Sequence, residues 1–520
     1  MSNSPLSSPS APGPTREERH AAARSAAFEL AELMGFDPLF FHFPGREADR
    51  ALHGSAALAA EFELVDHFGR FGPGTGRRGT DPGLRERTRA AYARQAWMPV
   101  FHAANAAFLA HEAAPGLPSP LSGGQATVLG SVTVQHQQFT LALDGGRPMI
   151  LMTIGYLPVG ILYPTERLFL VTTDFGLNMP LMPRVMLDAI LTRPLPWMNW
   201  IRTARAGHLR QAYVIGDNRP GHFIKQSLAF LDRHEADLIG FAGRGGLLVQ
   251  VPDWCAMDPF TIIPALAPLE RVSVESAALL DRILAEGWDA HRVYRFSTHA
   301  NPLWLRRRFE AIAPGEEMGE EALPERRFRV MISIDAERQR VLNQEEAFRY
   351  VLTRLGEACA RDGRDLEVAW DGWTVPDRPA AKDLEVIERI EGIVARILEG
   401  LPVRIARQHR FYGRSAQAKV ALTAGCDLAF VTQGTGAVIP CWLLRRPTIV
   451  YHVASMVRDR SCLDEGAAFS VDQRAVEEPG DPELVARRCF RLAPWGLEEA
   501  MQRALAGSLP PGNPALGVAS

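Results

Sequence analysis

The spacing of apolar positions changes character along the chain, and each change marks a different kind of element. In "REERHAAARSAAFELAELMGF" and "RERTRAAYARQAWMPVFHAANAAFLAHEAA" apolar residues recur every three to four positions in alanine-rich sequence. That is the helical period, and it predicts a mostly helical stretch over residues 16–115. "GPGTGRRGTDPG" (72–83) interrupts it as a loop. The glycines there invite a phosphate-loop reading, but no Lys-Ser/Thr follows and no apolar strand precedes them. Between 126 and 175 the period falls to two. "TVLGSVTVQHQQFTLALDGGRPMILMTI" alternates about Asp144-Gly145-Gly146, a strong hairpin signal.

From residue 211 the pattern becomes strand, loop, helix. "QAYVIGD" leads to the helical "GHFIKQSLAFLDRH", "GLLVQVPDW" reads as the next strand, and "RVSVES" precedes "AALLDRILAEGW"; "HRVYRFS" closes the set. After the acidic, Pro-containing "APGEEMGEEALPE" the pattern restarts with "FRVMISID", and strands "LEVAWDGW", "PVRIARQ", "CDLAFVTQ" and "PTIVYH" alternate with helical segments. Strands alternating with helices argue for parallel sheets covered by helices. "DPELVARRCFRLAPWGLEEAMQRALAG" reads as a helical C-terminal segment.

Composition narrows the class. A chain of 520 residues is too long for one core, and 47% apolar with 22% charged residues is globular composition. The net charge of −3 supplies no global field for nucleic acid, so no nucleic-acid partner is expected. The six cysteines form no Cys-x-x-Cys pair or His/Cys metal spacing, which fits reduced thiols in a cytoplasmic protein. Cys426 and Cys441 lie in apolar runs and read as core residues. The opening "MSNSPLSSPSAPGPT" has no basic start and no apolar core of a signal peptide, and is expected to be a disordered tail. The most apolar window, 148–164, contains Pro158 and is short for a bilayer span, so no transmembrane segment is expected.

Two loops carry candidate chemistry. In "VIGDNRPGHFIKQSLAFL" a strand ends at Gly216, and Asp217, Arg219, Gly221 and His222 follow before a helix begins. In "FVTQGTGAVIPCWLLRR" a strand ends at Thr432-Gln433, and Gly434, Thr435 and Gly436 turn into a helix near Ala437. Backbone N–H groups at such a turn, with the Thr435 hydroxyl, are suited to a phosphate. Both sequences also suit an ordinary βα turn, which uses glycine for its φ/ψ alone.

"CDLAFVTQGTGAVIPCWLLRRPTIVYH" resembles the last βαβ unit of the donor domain of GT-B glycosyltransferases, and "GDNRPGHFIKQSL" is similar to the Gly-His acceptor-side loop in several of them. The resemblance spans residues 211–508 and leaves the first 200 unmatched. It implies an α/β fold with two Rossmann-like domains in a GT-B-like arrangement, preceded by an N-terminal α+β region. The expected divisions are a tail (1–15), the α+β region (16–205), an acceptor-side domain (206–312), a linker (313–326), a donor domain (327–475), C-terminal helices (476–508) and a second tail (509–520).

The same resemblance implies roles. A nucleotide-sugar diphosphate would lie against Gly434, Thr435, Gly436 and Ala437, with Arg338 or Arg340 neutralising the departing charge. His409 and Tyr412 would contact the base or sugar. His222 is the general-base candidate for a saccharide, protein or lipid acceptor, with Asp217 orienting its ring or acting as base itself. Gly216, Arg219 and Gly221 shape that loop. No tightly bound cofactor and no metal are expected. The chain departs from the family in its acidic motif, since Asp427 is the only carboxylate between 413 and 440. That departure feeds one alternative, a catalytically silent glycan- or nucleotide-binding protein; the other is a non-hydrolysing sugar-nucleotide epimerase, which shares the two-Rossmann layout and would need carboxylates in its cleft.

Overall fold

Parallel strands buried on both faces need continuous apolar runs, and "FRVMIS", "LAFVT" and "TIVY" supply them. The computed structural model describes residues 15–35, 56, 58, 63–65, 82–134, 137–155, 157–172, 181–217, 220–292, 305, 307–309, 326–375, 381–454 and 467–507. Residues 1–14 of the first expected tail, the second tail, most of the linker, and Asn218 and Arg219 lie outside the described residues, while Thr15 caps the helix Arg16–Met34. The chain divides into two compact units. One comprises residues 1–215, 236–251 and 269–294; the other comprises 216–235, 252–268 and 295–520. Among the described residues no helix is long and apolar enough to cross a membrane.

The first unit holds an antiparallel meander and a small parallel sheet. The meander strands are β1 (Glu63–Val65), β2 (Leu117–Pro118), β3 (Gln125–Val134), β4 (Gln137–Asp144), β5 (Arg147–Ile154), β6 (Leu157–Tyr163) and β7 (Leu168–Val171). They lie in the order β1-β7-β6-β5-β4-β3-β2, antiparallel from β7 to β2, with β1 added parallel to β7. The turn between β4 and β5 is the Gly145-Gly146 hairpin, with φ of 58° and 89°, values that suit glycine at both positions. Strands β8 (Arg210–Ile215), β9 (Leu247–Gln250), β10 (Arg271–Ser273) and β11 (Trp288–Arg292) form the parallel sheet in the order β10-β9-β8-β11. β11 joins the meander through Thr133 Oγ1, which donates to the Ala290 carbonyl at 3.3 Å, and through the Ser131 N–H, which donates to Asp289 at 2.7 Å.

The second unit is built on six parallel strands: β12 (Arg327–Ser333), β13 (Asp365–Asp371), β14 (Arg407–Arg410), β15 (Leu428–Thr432), β16 (Thr448–Tyr451) and β17 (Ala468–Ser470). Their order is β14-β13-β12-β15-β16-β17. Helices Gln344–Arg361, Ala381–Leu398 and Pro494–Gly507 contribute apolar faces, including Phe348, Leu352, Ile390 and Leu497, to the core with Val330, Val368 and Phe430. The strand expected over 402–408 forms instead at Arg407–Arg410. Leu401 and Ile405 pack against the core without pairing, and β14, an edge strand, needs no apolar run of its own. The C-terminal segment is not helical throughout: β18 (Val476–Glu477) pairs with β19 (Arg491–Leu492) before the last helix starts.

Inside this sheet, Arg329 on β12, Glu367 on β13 and His409 on β14 form a buried ion cluster. Arg329 reaches Glu367 at 2.7 Å and His409 Nε2 lies 3.0 Å from the same carboxylate oxygen. Burial pulls the His409 pKa down, and its hydrogen bond to Glu367 offsets only part of that. Burial acts upward on Glu367, but hydrogen bonds from Arg329 and His409 outweigh it and hold the carboxyl below its usual range. Both folded values are depressed, so both groups stabilise above their unfolded pKa, and that stability is lost as pH falls. Resistance to urea unfolding is therefore expected to fall as pH drops below about 6.5, first through His409 and then through Glu367. Glu367→Gln leaves Arg329 buried without its counter-charge and is expected to cost roughly 3 kcal/mol at neutral pH.

Candidate functional site

Taken in chain order, β12 to β17 read 3-2-1-4-5-6 across the sheet, so the order reverses between β12 and β15. In open parallel sheets that reversal opens a crevice beyond the carboxyl ends of the two strands. Here those ends are Ser333 and Thr432. The loop after β12 carries Arg338 and Arg340, and the loop after β15 carries Gly434–Ala437. Both sequence-derived donor loops therefore flank one switch point.

The β15 loop is set by its backbone. The Gln433 N–H donates to the Tyr451 carbonyl at 3.1 Å, Gly434 adopts φ +111°, and the Ala437 N–H donates to the Gly434 carbonyl at 3.1 Å. The helical turn Thr435–Ala437 then widens into a π-helix, Val438–Leu443. Pro440 has no N–H to donate and its ring crowds the preceding turn, which accounts for the wider winding. Gly436 differs from Gly434. A Cβ placed there would meet Val431 at 3.6 Å, Thr432 Oγ1 at 3.8 Å and Ser333 Oγ at 3.9 Å, all ordinary contacts. Packing therefore does not demand glycine at 436, whose backbone lies beside the half-buried Ser333 and Thr432.

The β12 loop is held by Asp335. Its carboxylate accepts the N–H groups of Arg338 at 3.3 Å and Arg340 at 2.8 Å, and Gln344 bridges the Asp335 N–H and carbonyl at 3.1 and 3.3 Å. The Arg340 carbonyl accepts the Phe490 N–H at 2.7 Å, which fixes the loop against the C-terminal segment. Arg338 is exposed and Arg340 half-buried. Burial, then the neighbouring Arg338 and Arg488 guanidiniums, lower the Arg340 pKa, while Asp335 works against them. An anion brought to this loop would relieve that crowding of positive charge.

The third segment comes from β8. Gly216 takes φ +153°, and the Asp217 N–H donates to the Trp254 carbonyl at 2.7 Å. The helical turn Pro220–His222 leads into a second π-helix, Phe223–Leu228. Within the second unit this turn packs directly on the turn Thr435–Ala437. Lys225 Nζ lies 5.5 Å from the Trp442 ring centre, a cation–π contact between the two π-helices. His222 is half-buried with Nδ1 3.1 Å from Gln226 Oε1. The structure thus brings the turn that holds Gly221 and His222 to the turn that holds Gly436 and Ala437, with Gly216 and Asp217 in the loop that precedes the first. Arg219 and the Thr435 side chain lie outside the described residues.

His409 and Tyr412 are placed differently. His409 belongs to strand β14 and is committed to Glu367. Tyr412 is buried in the apolar core, with the Arg410 guanidinium 4.8 Å from its ring centre. Lys419, buried at the start of helix Ala416–Ala424, pairs with Asp371 at 2.6 Å and donates to the Gly372 carbonyl at 2.9 Å. The Ser333 and Thr432 hydroxyls and the Asp335 clamp escaped the sequence reading. The available signal was the place of Ser333 and Asp335 at the end of "VMISID" and of Thr432 at the end of "AFVT", polar residues closing apolar strands. Among the described residues no His/Cys/Asp/Glu group is arranged to hold a metal.

No family model and no curated protein matches the chain. Among solved structures it is similar to ADP-heptose LPS heptosyltransferase II of E. coli, at 12% identity over 57% of this chain and 99% of that one, with a TM-score of 0.28. It is also similar to α,α-trehalose-phosphate synthase (UDP-forming) from Burkholderia vietnamiensis, at 13% identity over 66% of this chain and 79% of that one, with a TM-score of 0.25. No residue of this chain is assigned from either.

The two glycines are expected to behave differently in thermal denaturation. Gly434→Val forces a β-branched residue to φ +111° and should cost about 1–3 kcal/mol. Gly436→Ala should leave stability within about 1 kcal/mol of the parent.

Proposed function

We propose that the chain transfers a sugar from a nucleotide-sugar donor to a saccharide, protein or lipid acceptor, in the manner of GT-B glycosyltransferases. One observation carries this reading: the His222 turn packs on the Gly434–Ala437 turn at the switch point of a doubly wound sheet. In this reading the donor diphosphate lies over the Gly434–Ala437 backbone, beside the Ser333 and Thr432 hydroxyls. Arg338 and Arg340 offset the charge that builds on the diphosphate as the glycosidic bond to it breaks. His222 removes the acceptor hydroxyl proton as that oxygen attacks the anomeric carbon. No metal or tightly bound cofactor is invoked for these steps.

An epimerase of the non-hydrolysing type needs carboxylates turned toward the ligand. Among the carboxylates at this edge, Asp335 holds two backbone N–H groups and Asp371 pairs with Lys419, while Asp217 stands in the loop before His222. A single carboxylate beside a histidine suits transfer better than the carboxylate set of an epimerase. A binding protein without turnover would keep the donor half of the site and have no use for His222.

The decisive experiment is thermal-shift titration with UDP-, GDP-, TDP-, ADP- and CMP-sugars and their free nucleotides, with and without magnesium. One nucleotide is expected to stabilise the protein saturably. With that donor, His222→Ala is expected to lower kcat by about 10²–10⁴-fold and leave donor affinity within a factor of about two. Gly436→Ala, which sets a methyl group within 4 Å of the two hydroxyls, should weaken donor binding instead. No shift across the whole panel would sink the donor-site reading.

A further inference from the structure

We infer that Gln226 is a positioning residue that fixes which ring nitrogen of His222 carries the proton. The inference rests on the proposed role of His222 and adds the group that prepares it. An amide oxygen only accepts hydrogen bonds, so the 3.1 Å contact between Gln226 Oε1 and His222 Nδ1 puts the proton on Nδ1. In the neutral ring the lone pair then sits on Nε2, the nitrogen that would take a proton from an acceptor. The contact is built into the backbone. His222 closes the turn Pro220–His222, and Gln226 lies four residues on within the π-helix Phe223–Leu228. Both side chains are half-buried, while Phe223, Ile224 and Leu228 anchor the segment with no exposure at all.

The chemistry of the orienting group matters as much as its position. A carboxylate on Nδ1 would favour the imidazolium and raise the ring's pKa, whereas a neutral amide fixes the tautomer without adding charge. Among the described residues, the charged groups on the neighbouring segments are Asp217, in the loop before the turn, Lys225, which faces the Trp442 ring, and Asp253, in the turn whose Trp254 carbonyl accepts the Asp217 N–H. The packed turn Thr435–Ala437 carries no titratable residue.

Long-range ¹H–¹⁵N spectra of the full chain labelled with ¹⁵N-histidine test this directly, with His222 identified by the signal lost in His222→Asn. The wild type is expected to show the Nδ1–H tautomer at His222, and Gln226→Leu to lose that preference. Gln226→Glu is expected to raise the His222 titration midpoint by about one unit, and to move the acid limb of the pH–rate profile with it. With the donor found in the nucleotide-sugar panel, Gln226→Leu should lower kcat by about tenfold with KM nearly unchanged. An Nε2–H tautomer in the wild type, or an unchanged tautomer in Gln226→Leu, overturns the assignment of Gln226 whatever His222 does. A His222→Ala variant that still transfers sugar sinks the base reading instead, and the spectra keep the two failures apart.

Discussion

Hydrogen bonding between β12 and β15 is the constraint on which the second unit depends. Their register pairs Val330 with Leu428, Met331 with Ala429 and Ile332 with Phe430. Asp427 locks the entering end, its N–H donating to the Arg329 carbonyl at 2.9 Å and its carboxylate accepting the Arg329 N–H at 2.7 Å. A slip of one residue would turn every side chain of a strand to the opposite face. With the register fixed, Ser333 and Thr432 reach the same rim together, and the loops that follow them start from one place. The chemistry proposed for those loops is a consequence of strand order before it is a property of any side chain.

The two segments that meet at the rim share an unusual backbone. Each leaves its strand through a glycine at positive φ, makes one helical turn and widens into a π-helix of six residues. Wider winding is less favourable than the α-helix and persists where packing or function holds it. At Val438–Leu443 the proline supplies a local reason. At Phe223–Leu228 the holding comes from burial and from the contact of Lys225 with Trp442.

Much of this was legible in the chain itself. Apolar runs bounded by glycine located the central strands, and Asp144-Gly145-Gly146 located the hairpin, because both signals are local. The edge strand β14 escaped, since its sequence "RQHR" is polar and its pairing is decided by β13. Among the candidate residues, the glycines and His222 could be placed on strand-to-helix turns because such turns announce themselves in sequence. His409 and Tyr412 read as loop residues because nothing local announces an ion partner 42 positions away or a place in the core. Strand order, which brings the Arg338 loop beside Gly434, is a long-range property that no window of sequence contains.

The division of the chain has a consequence for how the molecule is made. Gly216–Glu235 follows a strand of the first unit yet belongs to the second, as does Pro252–Pro268. On the ribosome, the His222 turn therefore emerges roughly two hundred residues before the Gly434–Ala437 turn it packs against, and must wait unpartnered in the meantime. Completion of the site is thereby tied to synthesis of nearly the whole chain. Because the chain passes between units more than once, a single cut cannot release the second unit with all of its parts, and a gene fragment encoding only the C-terminal half would not carry the site to a new host protein.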